Sequence, residues 1–485
     1  MTAIATSTSS ARISRFGVGR TTAVQIGAAL VGMAVVLFAP QVLNDGDTYW
    51  HLAAGEWMAV HGRVLHHDVF SFTAAGQPWM THEWLSEVLM AFAFRAGGWS
   101  GLLVLYAVMA AMAAALLAGA LGRVLSGVTL LVTLVLAFSC MAPSLLIRPH
   151  VLVMPIIIVW TVELLAAREA GRSPRLFMAP LMVLWANLHG SYVFGFVLLG
   201  PFALEALIEG RSNWAKVVRD WGVVGLLCAA ATLATPHGLS GLLYPFHILN
   251  MRTLNAILEW RPADFSKPGP FELALLATIV VCLLRGVRVP PLRLALLVLL
   301  LHMTLQHERH LIVLAVIAPL LLAKPLANAL DQRPEPQARA PAAWVAFCLL
   351  AAVLVGVRLA NPVVRTDGPT SPITALDHVP RALAQRPVLN TYAFGGYLIH
   401  RGVKPSIDGR ADMYGDAYFK RHLQIMAGDP VSVDQELAAR RIDWTVLGPY
   451  EPLVRVLDAK PGWRRLYSDQ YAIVHVRTEA LKAAR

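Results

Sequence analysis

Charge is what this sequence has least of. Of its 485 residues, 15% are charged and 56% are hydrophobic, whereas a water-soluble domain carries about 25% charged residues. A single soluble globule is therefore excluded. Cysteine is scarce as well: Cys140, Cys228, Cys282 and Cys348 all lie inside apolar runs, which excludes a disulfide framework. Internal repeats and low-complexity stretches are absent, and no basic groove with interleaved aromatics is present to bind nucleic acid. The first apolar run, Thr21 to Leu43, is too long for a signal-peptide core and is not followed by an A-x-A cleavage site. It reads as an uncleaved first span.

What is abundant is long apolar segments. Candidate spans are 21–43, 100–122, 126–146, 151–167, 176–188, 191–209, 220–235, 271–285, 291–306, 310–323 and 341–360, about eleven in all, although a perpendicular helix needs about 20 residues and several are shorter. The break at Trp185-Ala-Asn-Leu-His-Gly190 reads either as a tight loop between two spans or as two helices meeting inside the membrane. The net charge of +11 is concentrated in alternate loops. Its clusters are Arg12, Arg15 and Arg20; Arg168, Arg172 and Arg175; Arg211, Lys216 and Arg219; Arg285, Arg288 and Arg293; and Lys324, Arg333 and Arg339. The positive-inside rule makes these loops cytoplasmic. The N-terminal tail, 1–20, is then inside, and an odd number of spans puts the C-terminus outside a bacterial-type inner membrane.

Polar chemistry gathers on the assigned outer side. All sixteen histidines fall there or in the outer parts of spans. The membrane domain, 21–360, includes a long first outer loop, 44–99, that is acidic within a basic protein. In it, Trp84 to Phe94 has the spacing of an amphipathic helix on the membrane surface. From about residue 361 the chain turns polar and mixed, and reads as a small extracytoplasmic α/β domain over 361–485. Helices are expected at Thr374–Gln385 and Val431–Arg441, strands at Pro387–Tyr392 and Trp444–Leu447, and a hairpin over Trp463–Arg477.

The densest constellation is Asn44-Asp45-Gly-Asp47-Thr-Tyr-Trp-His51, directly after the first span. Two carboxylates two residues apart repel one another unless they share a cation or a proton. Asp47 is also placed to cap a following helix, which would set His51 one turn on along the same face. Other outer-side groups suited to a phosphate or a sugar are His82, Glu83, Arg148, His150, Asn187, His189, Arg309 and His310, with Asp408 and Arg410 in the C-terminal domain. Arg148 and Arg309 offer a permanent charge and a planar fork for a phosphate, or else snorkel to headgroups. Asp408 and Arg410 read equally as an internal salt bridge. His307-Glu-Arg-His310 is not a zinc-protease motif, because Leu311 stands where H-E-x-x-H needs histidine, and Gly395-Gly396 is too short for a phosphate loop.

An Asp motif immediately after the first span, a long first outer loop, many spans and an extracytoplasmic C-terminal domain together resemble the GT-C glycosyltransferase superfamily. Oligosaccharyltransferases, protein O-mannosyltransferases and aminoarabinose transferases share this layout. The segments Asp45–Leu52, Asp68-Val-Phe-Ser-Phe-Thr73, His82-Glu-Trp-Leu85, Trp185–Gly190, Gly395-Gly-Tyr-Leu398 and Asp408-Gly-Arg410 are similar to a bacterial group of GT-C-like membrane proteins. The resemblance implies inverting transfer of a sugar from a polyprenyl-phosphate donor to an acceptor glycan, lipid or protein at the outer leaflet. It assigns Asp47, or Asp45, as base or metal ligand, with a divalent metal ion as the conceivable cofactor. Two rival classes are a transporter or flippase, which predicts internal repeats and charges in mid-span, and a scaffold that kept the architecture without activity.

Overall fold

A computed structural model describes residues 20–332 and 340–483. Arg12, Arg15, Arg333 and Arg339 of the basic clusters lie outside the described residues. Within them the chain is mostly helical, and every expected span contains a helix. The first is α1, Arg20–Phe38, followed by α2, Asp47–His61, in the first loop. Helix α3, Trp84–Leu121, breaks at Gly97-Gly98, where Gly98 adopts φ 58°, a conformation that L side chains avoid. The expected amphipathic helix is the first leg of α3, which packs along α2; the second leg packs along α1.

Helices α4 (Gly127–Met141), α5 (Pro149–Leu152) and α6 (Met154–Glu169) follow. Next come α7 (Met178–Leu188), α8 (Val193–Glu209), α9 (Trp214–Ala231) and α10 (Gly238–Leu249). The membrane domain closes with α11 (Pro270–Arg285), α12 (Pro291–Gln306), α13 (Leu311–Ala329) and α14 (Pro341–Ala360). Six helices among the described residues are long and apolar enough to cross a membrane. Others are short: α7 has only 11 residues. A short turn, Gly190–Tyr192, joins α7 to α8 as a hairpin. Helix α14 buries none of its residues, so an apolar face is left for lipid.

Arg168, Arg172, Arg293 and Lys324 of the basic clusters pair with carboxylates of the bundle helices, and the reading of Arg293 as a loop charge is corrected. Arg293 lies in the first turn of α12, buried, with Nε and Nη2 donating to the two oxygens of Glu205 on α8 at 3.0 and 2.7 Å. A bidentate guanidinium–carboxylate pair satisfies both groups in an apolar setting. Arg168 of α6 approaches the same Glu205 at 3.7 Å, so three helices meet on one ionic knot.

The C-terminal domain carries a mixed four-stranded sheet in the order β1-β2-β4-β3, with β1 Val388–Asn390, β2 Trp444–Leu447, β3 Trp463–Ser468 and β4 Ile473–Arg477. β1 and β2 are parallel; β2–β4 and β3–β4 are antiparallel. Strands β1 and β2 are buried along their whole length, which is why apolar residues dominate both, with only Asn390 and Thr445 polar. Around the sheet lie α15 (Ile373–Asp377), α16 (Arg381–Ala384), α17 (Gly395–His400), α18 (Ala411–Met426), α19 (Pro430–Ala439), α20 (Pro452–Asp458) and α21 (Thr478–Ala483). Tyr49 of α2 belongs to this domain's core, and Trp50 packs with Ile399 of α17. The first loop and the C-terminal domain thus share packed cores.

Candidate functional site

The site grows from the turn between α1 and α2. Asp45 accepts hydrogen bonds from the backbone N–H and the hydroxyl of Thr48 at 3.0 and 3.1 Å. It is therefore Asp45, and not Asp47, whose side chain ties down the start of α2, in the manner of an N-terminal cap. Thr48 also donates to the carbonyl of Ile147 (3.0 Å), and the Ile147 N–H to the carbonyl of Val42 (3.1 Å). Those bonds deliver the next residue, Arg148, to the acidic pair.

Arg148 donates from Nε and Nη2 to the two oxygens of Asp45 at 2.9 and 2.7 Å. Its Nη2 also lies 2.7 Å from Asp47 Oδ2, and its Nη1 pairs with Glu259. Glu259 in turn meets Arg309 at 3.3 Å, and the Arg309 guanidinium lies 4.2 Å from the centre of the Trp260 ring. Three carboxylates thus face two guanidinium groups. Burial pushes the Asp45 carboxyl up, but the charge and hydrogen bonds of Arg148 outweigh it and hold Asp45 below the usual range. Asp47 goes the other way. Burial, opposed by Arg148 and reinforced by Asp45 and Glu259, raises it to about 6. Glu259 is held low by Arg148 and Arg309 against its burial. The two first-loop carboxylates are therefore separated in role: Arg148 favours the ionised form of Asp45, and Asp47, raised to about 6, can exchange a proton near neutrality.

This cluster opens into a cavity of about 760 Å³. The cavity's polar end is formed by Asp45, Asp47, Arg148, Glu259 and Arg309; its bundle end is apolar, with Ile157, Val193, Phe194, Val197, Val313 and Val316. His82, Glu83, His150, His189 and His310 also line it. Glu83 joins three histidines, His189 at 3.1 Å, His82 at 3.5 Å and His51 at 3.6 Å. Despite burial, His82 and His189 hold the Glu83 carboxyl well below its ordinary range, and Glu83 raises His82 in return. His150 donates to, or is oriented by, the Ser144 carbonyl at 2.8 Å.

Four sequence candidates lie away from the cavity. His51 is buried and bridges α2 to Glu87 of α3 at 3.1 Å. Asn187 accepts from Trp84 Nε1 at 2.7 Å and donates to the carbonyls of Val183 and Ala234, so both of its N–H donors are spent on tying three segments together. Arg410 is 1% exposed, with Asp408 and Asp68 on its guanidinium at 2.7 Å each and the Trp79 ring beneath it. Asp408 and Arg410 therefore form the internal salt bridge between C-terminal domain and first loop. Gly409 between them does line the cavity. A Cβ there would lie 1.8 Å from Asp47 Oδ1, so only glycine lets this turn close over the acidic pair.

Sequence reasoning missed Glu259, which sits in a 3-10 turn (Leu258–Trp260) of the segment between α10 and α11. Its one visible signal is a carboxylate beside an interfacial tryptophan on the assigned outer side. It also left Tyr244 and Tyr392 unassigned. Tyr244 donates to Asp412 at 2.5 Å and Tyr392 to the Gly409 carbonyl at 3.1 Å, and both line the cavity.

A metal ion needs convergent donors free of other charge. Among the described residues no group of three or more His, Cys, Asp or Glu is placed to hold one. The oxygens of Asp45, Asp47 and Glu259 converge on Arg148, and the residues present do not fit a resident divalent ion.

No protein-family model matches the sequence, and no curated protein matches it. Among solved structures, the crystal structure of the Archaeoglobus fulgidus oligosaccharyltransferase in the apo form superposes with a TM-score of 0.51 at 10% identity, over 88% of this chain and 69% of that one. The chain therefore shares its fold with that oligosaccharyltransferase.

Proposed function

We propose that this protein is a membrane glycosyltransferase that moves a sugar from a polyprenyl-phosphate donor to an acceptor at the outer face of the cytoplasmic membrane. The observation that carries the reading is the cavity itself. One wall is apolar and faces the bundle, as an isoprenoid chain requires, and the other end holds paired carboxylates and guanidinium groups. A phosphate-linked sugar is a molecule with those two ends. The oligosaccharyltransferase likeness in fold supports the same class of reaction. The concentration of basic clusters in alternate loops supports a cytoplasmic N-terminus, with the cavity and residues 361–485 outside.

In this reading Asp47 accepts the proton of the acceptor hydroxyl as it attacks the anomeric carbon. A carboxylate with a pKa of about 6 is mostly ionised at pH 7 yet still basic enough to take a proton, which is what general-base catalysis asks for. Asp45 orients Arg148 and ties down the turn. Arg309, paired with a single carboxylate and 31% exposed, offers its remaining N–H groups to the departing phosphate. A direct displacement of this kind inverts the anomeric centre. Purified protein incubated with a panel of polyprenyl-phosphate sugars and candidate acceptors tests the reading. Donor consumption with release of polyprenyl phosphate is expected for one donor at least; consumption of none would overturn it.

A further inference from the structure

The GT-C resemblance assigns Asp47, or Asp45, as base or metal ligand, and in this chain a guanidinium lies between the two carboxylates. Arg148 Nη2 lies 2.7 Å from both Asp45 Oδ1 and Asp47 Oδ2, the two carboxylates that would otherwise repel. Its Nε donates to the second oxygen of Asp45 at 2.9 Å, and its Nη1 pairs with Glu259. Nothing about this placement depends on a loose side chain. The adjoining Ile147 is bonded through its N–H to Val42 and through its carbonyl to Thr48, so the backbone before Arg148 is fastened to the same turn that carries the two aspartates.

We propose that Arg148 is the built-in cation of this site, a guanidinium that holds Asp45, Asp47 and Glu259 together and stands in the position a divalent metal ion would take. A second cation at the same point would meet the guanidinium charge at ion-pair distance with no free carboxylate oxygen between them. Asp45, Asp47 and Glu259 face Arg148 and Arg309, so three carboxylates are already matched against two guanidinium groups. Hard oxygen donors in this number would suit Mg2+ or Mn2+ if the guanidinium were absent. The geometry therefore makes a reciprocal demand. The wild-type chain should not need a metal to hold its acidic cluster, and removal of Arg148 should create a metal site where none is now. What the positive charge does for a substrate rests on the transferase reading; that Arg148 supplies it does not.

The test uses the full chain purified in detergent and Mn2+ alone, followed by the loss of the free-ion electron paramagnetic resonance signal. Wild type is expected to bind no stoichiometric Mn2+ at this cluster. Arg148→Ala should gain a stoichiometric Mn2+, and the gain should vanish when Asp45→Asn and Asp47→Asn are added. Arg148→Lys, which keeps the charge, should gain none. Stoichiometric Mn2+ on wild type that is abolished by Asp45→Asn would overturn the proposal, and this arm decides the matter even if Arg148→Ala does not fold. A folded Arg148→Ala that binds no Mn2+ would overturn it too, since the carboxylates then do not converge. A chain that behaves as expected toward Mn2+ yet transfers no sugar would overturn the transferase reading and leave this inference standing.

Discussion

Asp45 and Asp47 differ by two positions in sequence and by their whole environment in space. Asp45 is covered and spends both oxygens on Thr48 and Arg148; Asp47 borders the cavity and accepts from Trp50 Nε1 at 2.9 Å. The sequence placed both at one membrane boundary and pointed to Asp47 as the cap of α2, whereas Asp45 makes the capping bonds to Thr48, because the cap depends on where the helix begins. The raised pKa of Asp47 has a consequence for stability. Its folded pKa of about 6 lies above the ordinary 3.8, so between those values the folded state binds more protons than the unfolded one, and stability falls as pH rises through this window. Asp47→Asn removes that cost. The variant is expected to be more stable than wild type at pH 7 by up to about 3 kcal/mol, with the difference closing below pH 4, as thermal unfolding at the two pH values would show; a variant less stable at pH 7 would mean that the carboxylate is instead a net stabilising partner. Arg309 is the second residue with a clear expectation. Arg309→Ala should weaken binding of a lipid-phosphate donor analogue by about 1.5–3 kcal/mol, the size of charge-assisted hydrogen bonds, while wild-type affinity in the variant would show that Arg309 serves only Glu259 and Trp260.

At the scale of elements, the helices were legible because their apolar runs are long, and the strands because β1, β2 and β4 are buried along most of their length. What stayed hidden depends on chain-distant partners. Asp408-Gly409-Arg410 looks like an isolated turn in sequence, yet Arg410 pairs with Asp68, which lies in the first loop, and Gly409 abuts Asp47. Gly409→Ala should displace Asp47 or lift the turn, so a fall in activity is expected together with loss of protease resistance at the junction of first loop and C-terminal domain; unchanged values of both would show that the turn does not seat the site. Arg293 was hidden for the same reason, since a basic residue near a loop looks solvated until Glu205 of another helix is brought beside it. Breaking a buried pair strands the remaining charge at a cost of about 3–5 kcal/mol. Arg293→Met should therefore lower the unfolding temperature in detergent, and Arg293→Met combined with Glu205→Leu should recover much of the loss. A double variant no better than the single would point to packing rather than the ion pair.

Over the whole molecule, the cavity lies where the bundle, the first loop, the segment between α10 and α11 and the C-terminal domain meet, and no one of these segments contains a site alone. Asp416 of α18 accepts from the N–H groups of Arg252 and Thr253 at 3.0 Å each, and Tyr244 reaches Asp412 of the same helix, so the roof and one wall are tied together. Glu259 comes to Arg148 only through that assembly, which is why the sequence offered it no role. The account requires the cavity end and the C-terminus to share one side of the membrane and the basic clusters the other. Reporter fusions after Arg172 and Asn213 should be cytoplasmic, and a fusion at the C-terminus should not; a cytoplasmic C-terminal reporter would contradict the topology and the transferase together. The central claim, that Asp47 is the base of a sugar transfer, is tested most directly by measuring turnover of a polyprenyl-phosphate sugar by wild type and Asp47→Asn across pH, at matched folded concentration. The account predicts a wild-type rate that rises with pH through about 6 and an Asp47→Asn rate lower by about 10²-fold or more, without that rise. An Asp47→Asn variant that keeps the full rate and the wild-type pH profile would contradict it.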